Sequence, residues 1–254
     1  MTPAFISNFV DAIELIFTPQ RSDFGTDVGG LTEFLDFTST HLLVSLVAIV
    51  AAVAIAVPIG IYLGHIGRFQ FLAVSISNIG RAVPVLALIA FFIAFVGVGF
   101  TNVALVLLLL AIPPILTNAY VGTSQVDPDT VDSARGMGFS EWQVLTRVEL
   151  PLAMSTIFGG IRTSSVNVVA TATIAPFANV DTLGVPIIND NVYGGSGQLA
   201  AAIVVALITL AVDGGLGGLQ RAATPKGLKL AAQSGGAPRR RLFGLIPRRS
   251  VQPS

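Results

Sequence analysis

The chain has no cysteine, and charged residues are scarce. Without cysteine, the protein can form neither a disulfide nor a thiolate metal site. Charged residues make up 11% of the chain, whereas a soluble domain of this length carries about 25%. Hydrophobic residues make up 53%, and the mean hydropathy is +0.79. This composition excludes an ordinary soluble domain and predicts an integral membrane protein.

Signatures of enzymes are missing as well. The sequence has no G-x-x-x-x-G-K-[ST] loop to hold nucleotide phosphates, so the chain itself is not expected to hydrolyse ATP. There are only two histidines, and no Ser/His/Asp arrangement or metal-ligand cluster stands out. We therefore predict a non-catalytic chain without a cofactor or metal of its own. Nucleic-acid binding is not expected, because the basic residues near the C-terminus lack interleaved aromatics.

Five windows are apolar and long enough to cross a bilayer, which requires about 20 residues. The second window is interrupted at Arg81 and Pro84, which predicts either a kinked helix or a short helix followed by another. The pattern predicts an all-α membrane protein of about five transmembrane helices, with a transmembrane domain over 41–221. The five windows are 41–64, 71–98, 102–120, 152–177 and 198–219.

Basic residues are concentrated near one end of the chain. Residues 1–40 hold six acidic residues and one basic residue, whereas residues 221–254 hold eight basic residues and no acidic residue. Lys and Arg accumulate in cytoplasmic loops. If the C-terminal end is cytoplasmic, that side collects eleven basic residues outside the spans, and the other side collects one. We therefore predict an N-terminus outside the cell and a C-terminus in the cytoplasm.

The two end segments are predicted to lie outside the spans. Residues 1–40 form an acidic extracytoplasmic segment that lacks the basic start of a signal peptide. Its first 20 residues suit a helix at the membrane surface, with a partly ordered segment as the alternative. Residues 222–254 form a basic tail that is predicted to be disordered and cytoplasmic. This tail is either attracted to anionic lipid or simply solvated.

The predicted loop over 121–151 begins with the signals of a short helix. Asp127 is a good N-cap, and Pro128 at the first helical position loses no hydrogen bond. Gly136 and Gly138 are expected to end this helix, because glycine tolerates a left-handed turn.

A second short helix is expected directly after these glycines. Ser140 and Gln143 have the spacing of a capping box. We expect the helix to reach about Glu149 and Pro151 to open the next span. The two signals together predict a pair of helices projecting from the membrane, with a merely solvated loop as the alternative.

This pair of helices resembles the cytoplasmic signature of permease subunits of bacterial ABC importers. The signature reads Glu-Ala-Ala, three residues, Gly, nine residues, then Ile-x-Leu-Pro. Asp132-Ser133-Ala134 replaces the triplet, Gly138 matches the glycine, and Val148-Glu149-Leu150-Pro151 matches the end with the same spacing. The resemblance implies a module that docks on a separate ATPase subunit. The residues predicted to couple the chain to that ATPase are Asp132, Ser133, Ala134, Arg135, Gly136, Gly138, Trp142, Leu150 and Pro151.

Four further segments resemble one branch of these permeases. "VDPDTVDSARGMG", "ELPLA", "GIRTSSV" and "ATATIAP" are similar to importers of glycine betaine, carnitine, choline and proline. The resemblance implies a type I ABC importer permease fold in the bacterial inner membrane. It also implies three partner proteins: an ATPase subunit that binds the ATP, a second permease subunit, identical or related, and an extracytoplasmic substrate-binding protein.

Polar residues inside the spans are predicted to line a translocation path or gate, because ionisable groups in a membrane are costly and are often functional. The alternative for Arg162 and for Asp213, in the last span, is a structural ion pair. Ser and Thr also serve in helix packing, so their assignment to a path stays open. The predicted path or gate residues are Arg81, Pro84, Arg162, Ser165, Asn167 and Thr171.

Other functions remain open for the sequence alone. An ABC permease for another small solute, such as an amino acid, would keep the same two-helix module. An ion-driven carrier or channel would work without an ATPase, but it is expected to show inverted repeats, and no convincing repeat is found. The matched spacing of the signature argues against a membrane scaffold.

The predicted orientation can be tested with single cysteines, because the native chain has none. We expect Met137→Cys, in the two-helix module, to react with a membrane-impermeant maleimide in inside-out vesicles but not in intact cells. Asp190→Cys, in the predicted outer loop 178–197, is the matched control and should react in intact cells. Labelling of position 137 from outside would contradict the orientation.

Overall fold

The computed structural model describes residues 3–22, 24–67, 75 and 83–224, with side chains from residue 7 onward. Arg81 and almost all of the predicted basic tail lie outside these residues. The described part is mainly helical, with one small β-hairpin. The helices are α1 (Pro3–Phe17), α2 (Leu31–Ile66), α3 (Val85–Val96), α4 (Phe100–Ser124), α5 (Pro128–Gly136), α6 (Glu141–Val144), α7 (Leu150–Thr171), α8 (Val185–Ile188) and α9 (Asp190–Ala223).

The N-terminal segment packs against the helical domain. Helix α1 is followed by strands β1 (Pro19–Arg21) and β2 (Asp27–Gly29), which pair antiparallel with Gln20 opposite Val28. The buried residues Ala12 and Leu15 of α1 join a hydrophobic cluster with residues of α2 and α9. The predicted N-terminal helix is therefore present, and its apolar face is covered at least partly by the protein itself.

The first long helix begins ten residues earlier than the sequence predicts, at Leu31 instead of 41. Phe34 and Phe37 are buried in the cluster that also contains residues of α1 and α9. The carboxylate of Glu33 has hydrogen-bond partners in the protein, since it accepts from the Gly29 amide at 2.5 Å and from the Tyr193 hydroxyl. The helix thus extends ten residues into the predicted acidic segment, where hydrogen bonds offset the cost of the charge.

Within the described residues, four helices are long and apolar enough to cross a membrane. The predicted window 71–98 lies partly outside them, and its described part holds the shorter apolar helix α3. Window 198–219 belongs to the longer α9, which begins at Asp190 and has one non-helical residue, Gly194. The four helices are Leu31–Ile66, Phe100–Ser124, Glu141–Ala178 and Asp190–Ala223.

The helix that contains Pro151 is continuous, although the sequence predicts a new span there. Leu145–Glu149 forms a π-helical turn between α6 and α7, in which the Leu150 amide donates to the Leu145 carbonyl. Proline has no amide hydrogen, and its ring collides with the carbonyl of a regular preceding turn. The wider π turn accommodates the ring. The predicted loop helix and the predicted span therefore follow each other directly and form one continuous helix, Glu141–Ala178.

Helices α2 and α4 form the most extensive contact between described elements. A Cβ at Gly60 would lie 2.6 Å from the Ala119 Cβ and 2.7 Å from the Leu116 carbonyl oxygen. A Cβ at Gly64 would lie 2.7 Å from the Tyr120 carbonyl oxygen. Small residues let membrane helices approach this closely, where van der Waals contact stabilises them.

This packing predicts that a glycine-to-alanine substitution destabilises the protein at Gly60 but not at Gly214. Gly60→Ala should lower the free energy of unfolding by about 1–3 kcal/mol, because the added methyl group forces α2 and α4 apart. Gly214→Ala is the matched control in α9, since its Cβ would meet no atom within 4 Å. Alanine there should be neutral or stabilising by up to about 1 kcal/mol. Thermal unfolding of the purified variants in detergent measures both, and equal melting temperatures would contradict the packing.

Candidate functional site

The two-helix module over residues 127–149 begins with the predicted cap. The Asp127 side chain accepts a hydrogen bond from the Asp129 amide at 3.3 Å and one from the Thr130 hydroxyl at 3.0 Å. Helix α5 ends at Gly136, and Gly138 adopts a φ of +87° in the turn that follows. Glycine is favoured at this angle because it has no Cβ to clash.

The second half of the module begins with the predicted capping box. The Ser140 hydroxyl accepts from the Gln143 amide at 3.4 Å, and the Gln143 side chain accepts from the Ser140 amide at 2.9 Å. The module also has a small hydrophobic cluster of its own, all of it between residues 126 and 148. The cluster consists of Val131, Ala134 and Val144 with Val126, Phe139 and Val148 packed around them.

Charged side chains link the two helices of the module. The Arg135 guanidinium donates to both oxygens of Glu141, at 2.9 and 3.0 Å, and to the Asp132 carboxylate at 3.2 Å. The hydrogen bonds to Glu141 raise the pKa of Arg135, so its charged form is favoured. Bidentate pairing of this kind also fixes the relative orientation of the two side chains.

The tip of the module offers apolar surface to a partner. Met137 and Trp142 are each 71% exposed. A Cβ at Gly136 or Gly138 would meet no atom within 4 Å, so the backbone there is open to close approach. Exposed tryptophan and methionine are enriched in protein interfaces. These features fit a docking surface.

The module joins the long helices at a buried polar contact. Glu149, just before Leu150 and Pro151, accepts a hydrogen bond from His65 at the end of α2, with 2.6 Å between Nδ1 and Oε2. Sequence reasoning did not find this contact. The two residues are 84 positions apart, and no local pattern relates a histidine in one helix to a glutamate in another.

A second polar group lies between α7 and α9. The Arg162 guanidinium pairs with both carboxylate oxygens of Asp213, through Nε and, at 2.5 Å, through Nη2. The side chains are 40% and 33% exposed. They face a cleft of about 360 Å³ that Asn167 and Gln220 also line. The ion pair that the sequence left as an alternative is thus present, and it borders an open polar cleft.

The other predicted path residues that the structure describes do not line this cleft. Ser165 is buried, and its hydroxyl donates to the Ile161 carbonyl at 2.8 Å, away from this cleft. Thr171 is partly buried and lies one turn beyond Asn167 on the same helix face. Pro84 occupies the N-cap position of α3. Arg81 lies outside the described residues.

A family model and the similar proteins of known function indicate the same family for this chain. The family model described as "binding-protein-dependent transport system inner membrane component" matches residues 56–225. The carnitine transport permease protein OpuCB of Listeria monocytogenes is 38% identical over 199 residues, which cover 78% of this chain and 91% of that protein. The glycine betaine/carnitine/choline transport system permease protein OpuCB of Bacillus subtilis is 35% identical over 198 residues, with coverage of 78% and 91%. The resemblance predicted from the sequence motifs is confirmed.

Two solved structures share the fold at low sequence identity. An inward-facing structure of the MetNI methionine ABC transporter matches with a TM-score of 0.67 and 17% identity, covering 77% of this chain and 98% of that chain. A structure of an amino acid ABC transporter with histidines matches with a TM-score of 0.60 and 16% identity, covering 75% and 94%. These matches confirm the predicted fold class.

The Arg162–Asp213 ion pair predicts that removing one of the two charges destabilises the protein more than removing both. Arg162→Gln or Asp213→Asn alone should lower the melting temperature in detergent, because each leaves one charge without its partner between two apolar helices. The double variant should recover part of the loss, since no unpaired charge remains. Arg147→Gln, at an exposed arginine of the module, is the control. Additive losses in the double variant would contradict the pairing.

Proposed function

We propose that this chain, which belongs to the family of inner membrane components of binding-protein-dependent transport systems, is the permease subunit of an ATP-driven osmoprotectant importer. One structural observation carries the proposal. The second half of the exposed two-helix module, from Glu141 onward, is the beginning of a 38-residue helix, Glu141–Ala178, that is long enough to cross the membrane. A force applied to the module can therefore reach the membrane without passing through a flexible joint.

The module is the proposed contact with a cytoplasmic ATPase. Its tip combines open backbone at Gly136 and Gly138 with exposed apolar side chains at Met137 and Trp142. The bidentate pair between Arg135 and Glu141 holds its two helices together. Closure of the ATPase on ATP would then move the module as one body, with the N-terminus of the chain outside the cell and its C-terminus in the cytoplasm.

The polar cleft beside α7 is the proposed lining of the path. An ion pair that is partly exposed between membrane helices is unfavourable against lipid. We therefore assign this face to the path or to the second permease subunit, which is proposed to complete it. Arg162 and Asn167 line the cleft directly. Because the cleft and the module share the helix Glu141–Ala178, movement of one displaces the other.

The proposed solutes are small quaternary ammonium compounds. The relatives are named for carnitine, glycine betaine and choline. Such cations are typically held by aromatic cages, whereas no aromatic side chain from the described residues lines the polar cleft. We therefore assign selection of the solute to an extracytoplasmic binding protein and only passage to this chain.

An uptake assay tests the proposed function. The chain would be expressed with its ATPase and binding protein in a strain without osmoprotectant uptake, under salt stress. We expect uptake of radiolabelled glycine betaine, carnitine or choline to rise clearly above the deletion strain. Arg135→Ala should remove most of it, because the bidentate pair with Glu141 that holds the two helices of the module together is lost. Arg21→Ala, at an exposed arginine of β1, is the control.

The alternatives give distinct results in the same assay. Uptake of methionine without uptake of proline or of any quaternary ammonium compound would indicate another solute for the same machinery. Uptake that persists without the ATPase would indicate an ion-driven carrier. Either result would overturn the osmoprotectant importer.

A further inference from the structure

The contact between His65 and Glu149 lies where the module meets the long helices. His65 is in the last turn of α2, and Glu149 ends the π-helical turn before α7. Their side chains are only 15% and 6% exposed. A buried carboxylate is costly unless it is hydrogen-bonded and its charge is balanced. The histidine therefore stabilises Glu149 in this position.

The same histidine faces a second carboxylate. His65 Nε2 lies 3.5 Å from Oε2 of Glu141, the first residue of α6. His65 donates to Glu149 through Nδ1, and its Nε2 lies beside the Glu141 carboxylate. His65 thus holds the beginning and the end of the segment 141–149 at once.

Glu141 extends these contacts to the first helix of the module. It accepts two hydrogen bonds from Arg135, which also donates to Asp132. A continuous chain of polar contacts therefore runs from α5, through Glu141, to the end of α2. Asp132 and Arg135 belong to the surface proposed to meet the ATPase.

Within the described part of the chain, hydrophobic contact between α2 and this region begins only after Glu149, at Leu150, which shares a cluster with Val57 and Ile61 of α2. The hydrophobic cluster of the module lies entirely between residues 126 and 148. It holds the two short helices to each other and includes no residue of α2. Among the described residues, the side-chain hydrogen bonds and ion pairs between α2 and the module are those of His65.

We infer that His65 and Glu149 are positioning residues that make the end of α2 move together with the module. This inference rests on the proposed coupling role of the module. The module already continues into α7. Through His65 it also acts on α2, and through the close contact at Gly60 and Gly64 it acts on α4. Movement of the module would then displace three packed helices together.

Transport stoichiometry tests the inference in the complete transporter. Permease, ATPase and binding protein would be reconstituted in liposomes, with import of labelled glycine betaine, carnitine or choline and ATP hydrolysis measured in the same vesicles. We expect His65→Ala and Glu149→Ala each to lower the number of molecules imported per ATP by about fivefold or more, with ATP hydrolysis within about twofold of the native rate. The ratio separates coupling from loss of folded protein.

Two further variants serve as controls. His65→Asn places an amide donor near the position of Nδ1 and should restore most of the native ratio of molecules imported per ATP. Asp36→Asn removes an exposed carboxylate from α2, outside the module and outside this chain of contacts, and should leave the ratio unchanged. A native ratio in both His65→Ala and Glu149→Ala would overturn the inference.

A distance measurement gives a result that does not depend on transport. Spin labels at Met137→Cys and Tyr62→Cys, in the module and on the exposed side of α2, should give a narrow distance distribution in the native background. The distribution should broaden with His65→Ala. An unchanged width would overturn the inference, whereas failure of the native transporter to import all three solutes would overturn only the proposed function.

Discussion

The close packing of α2, α4 and α7 is the constraint on which the rest of the structure depends. Between membrane helices, contact is stabilised by van der Waals packing and not by exclusion of water. Gly60 and Gly64 bring α2 against α4, and Gly160 brings α7 against Asn118 of α4, where a Cβ would lie 2.5 Å from the Asn118 Cβ. These close contacts set the position of α7 relative to α2 and α4. Helix α7 continues from the two-helix module and lines the polar cleft, so its position also sets theirs.

Charge within this packed framework is tolerated where a charged side chain has a polar partner. Glu33 is bonded to the Gly29 amide and the Tyr193 hydroxyl, Glu149 to His65, and Asp213 to Arg162. Each of these carboxylates is therefore bonded to a side chain of another helix. The polar contacts add to the hydrophobic packing between helices, and the glycines define how close the helices lie.

Local signals allowed much of the fold and of the module to be predicted. The Asp127 cap, the turn at Gly138 and the Ser140–Gln143 capping box act within four residues, and the structure has all three. The start of α2 and the continuity through Pro151 were not predicted. Both depend on how a charge or a missing amide is accommodated by surrounding structure, which no window of sequence contains.

Composition and local helix signals thus predicted a helical membrane protein with a two-helix module, and the resemblance of its motifs implied the permease family. The pairing of Arg162 with Asp213 beside a cleft, the burial of Ser165 away from that cleft and the contact of His65 between α2 and the module became known only from the packed helices. Caps and apolar runs are encoded by near neighbours. Contacts across 51 or 84 residues exist only after the helices have packed.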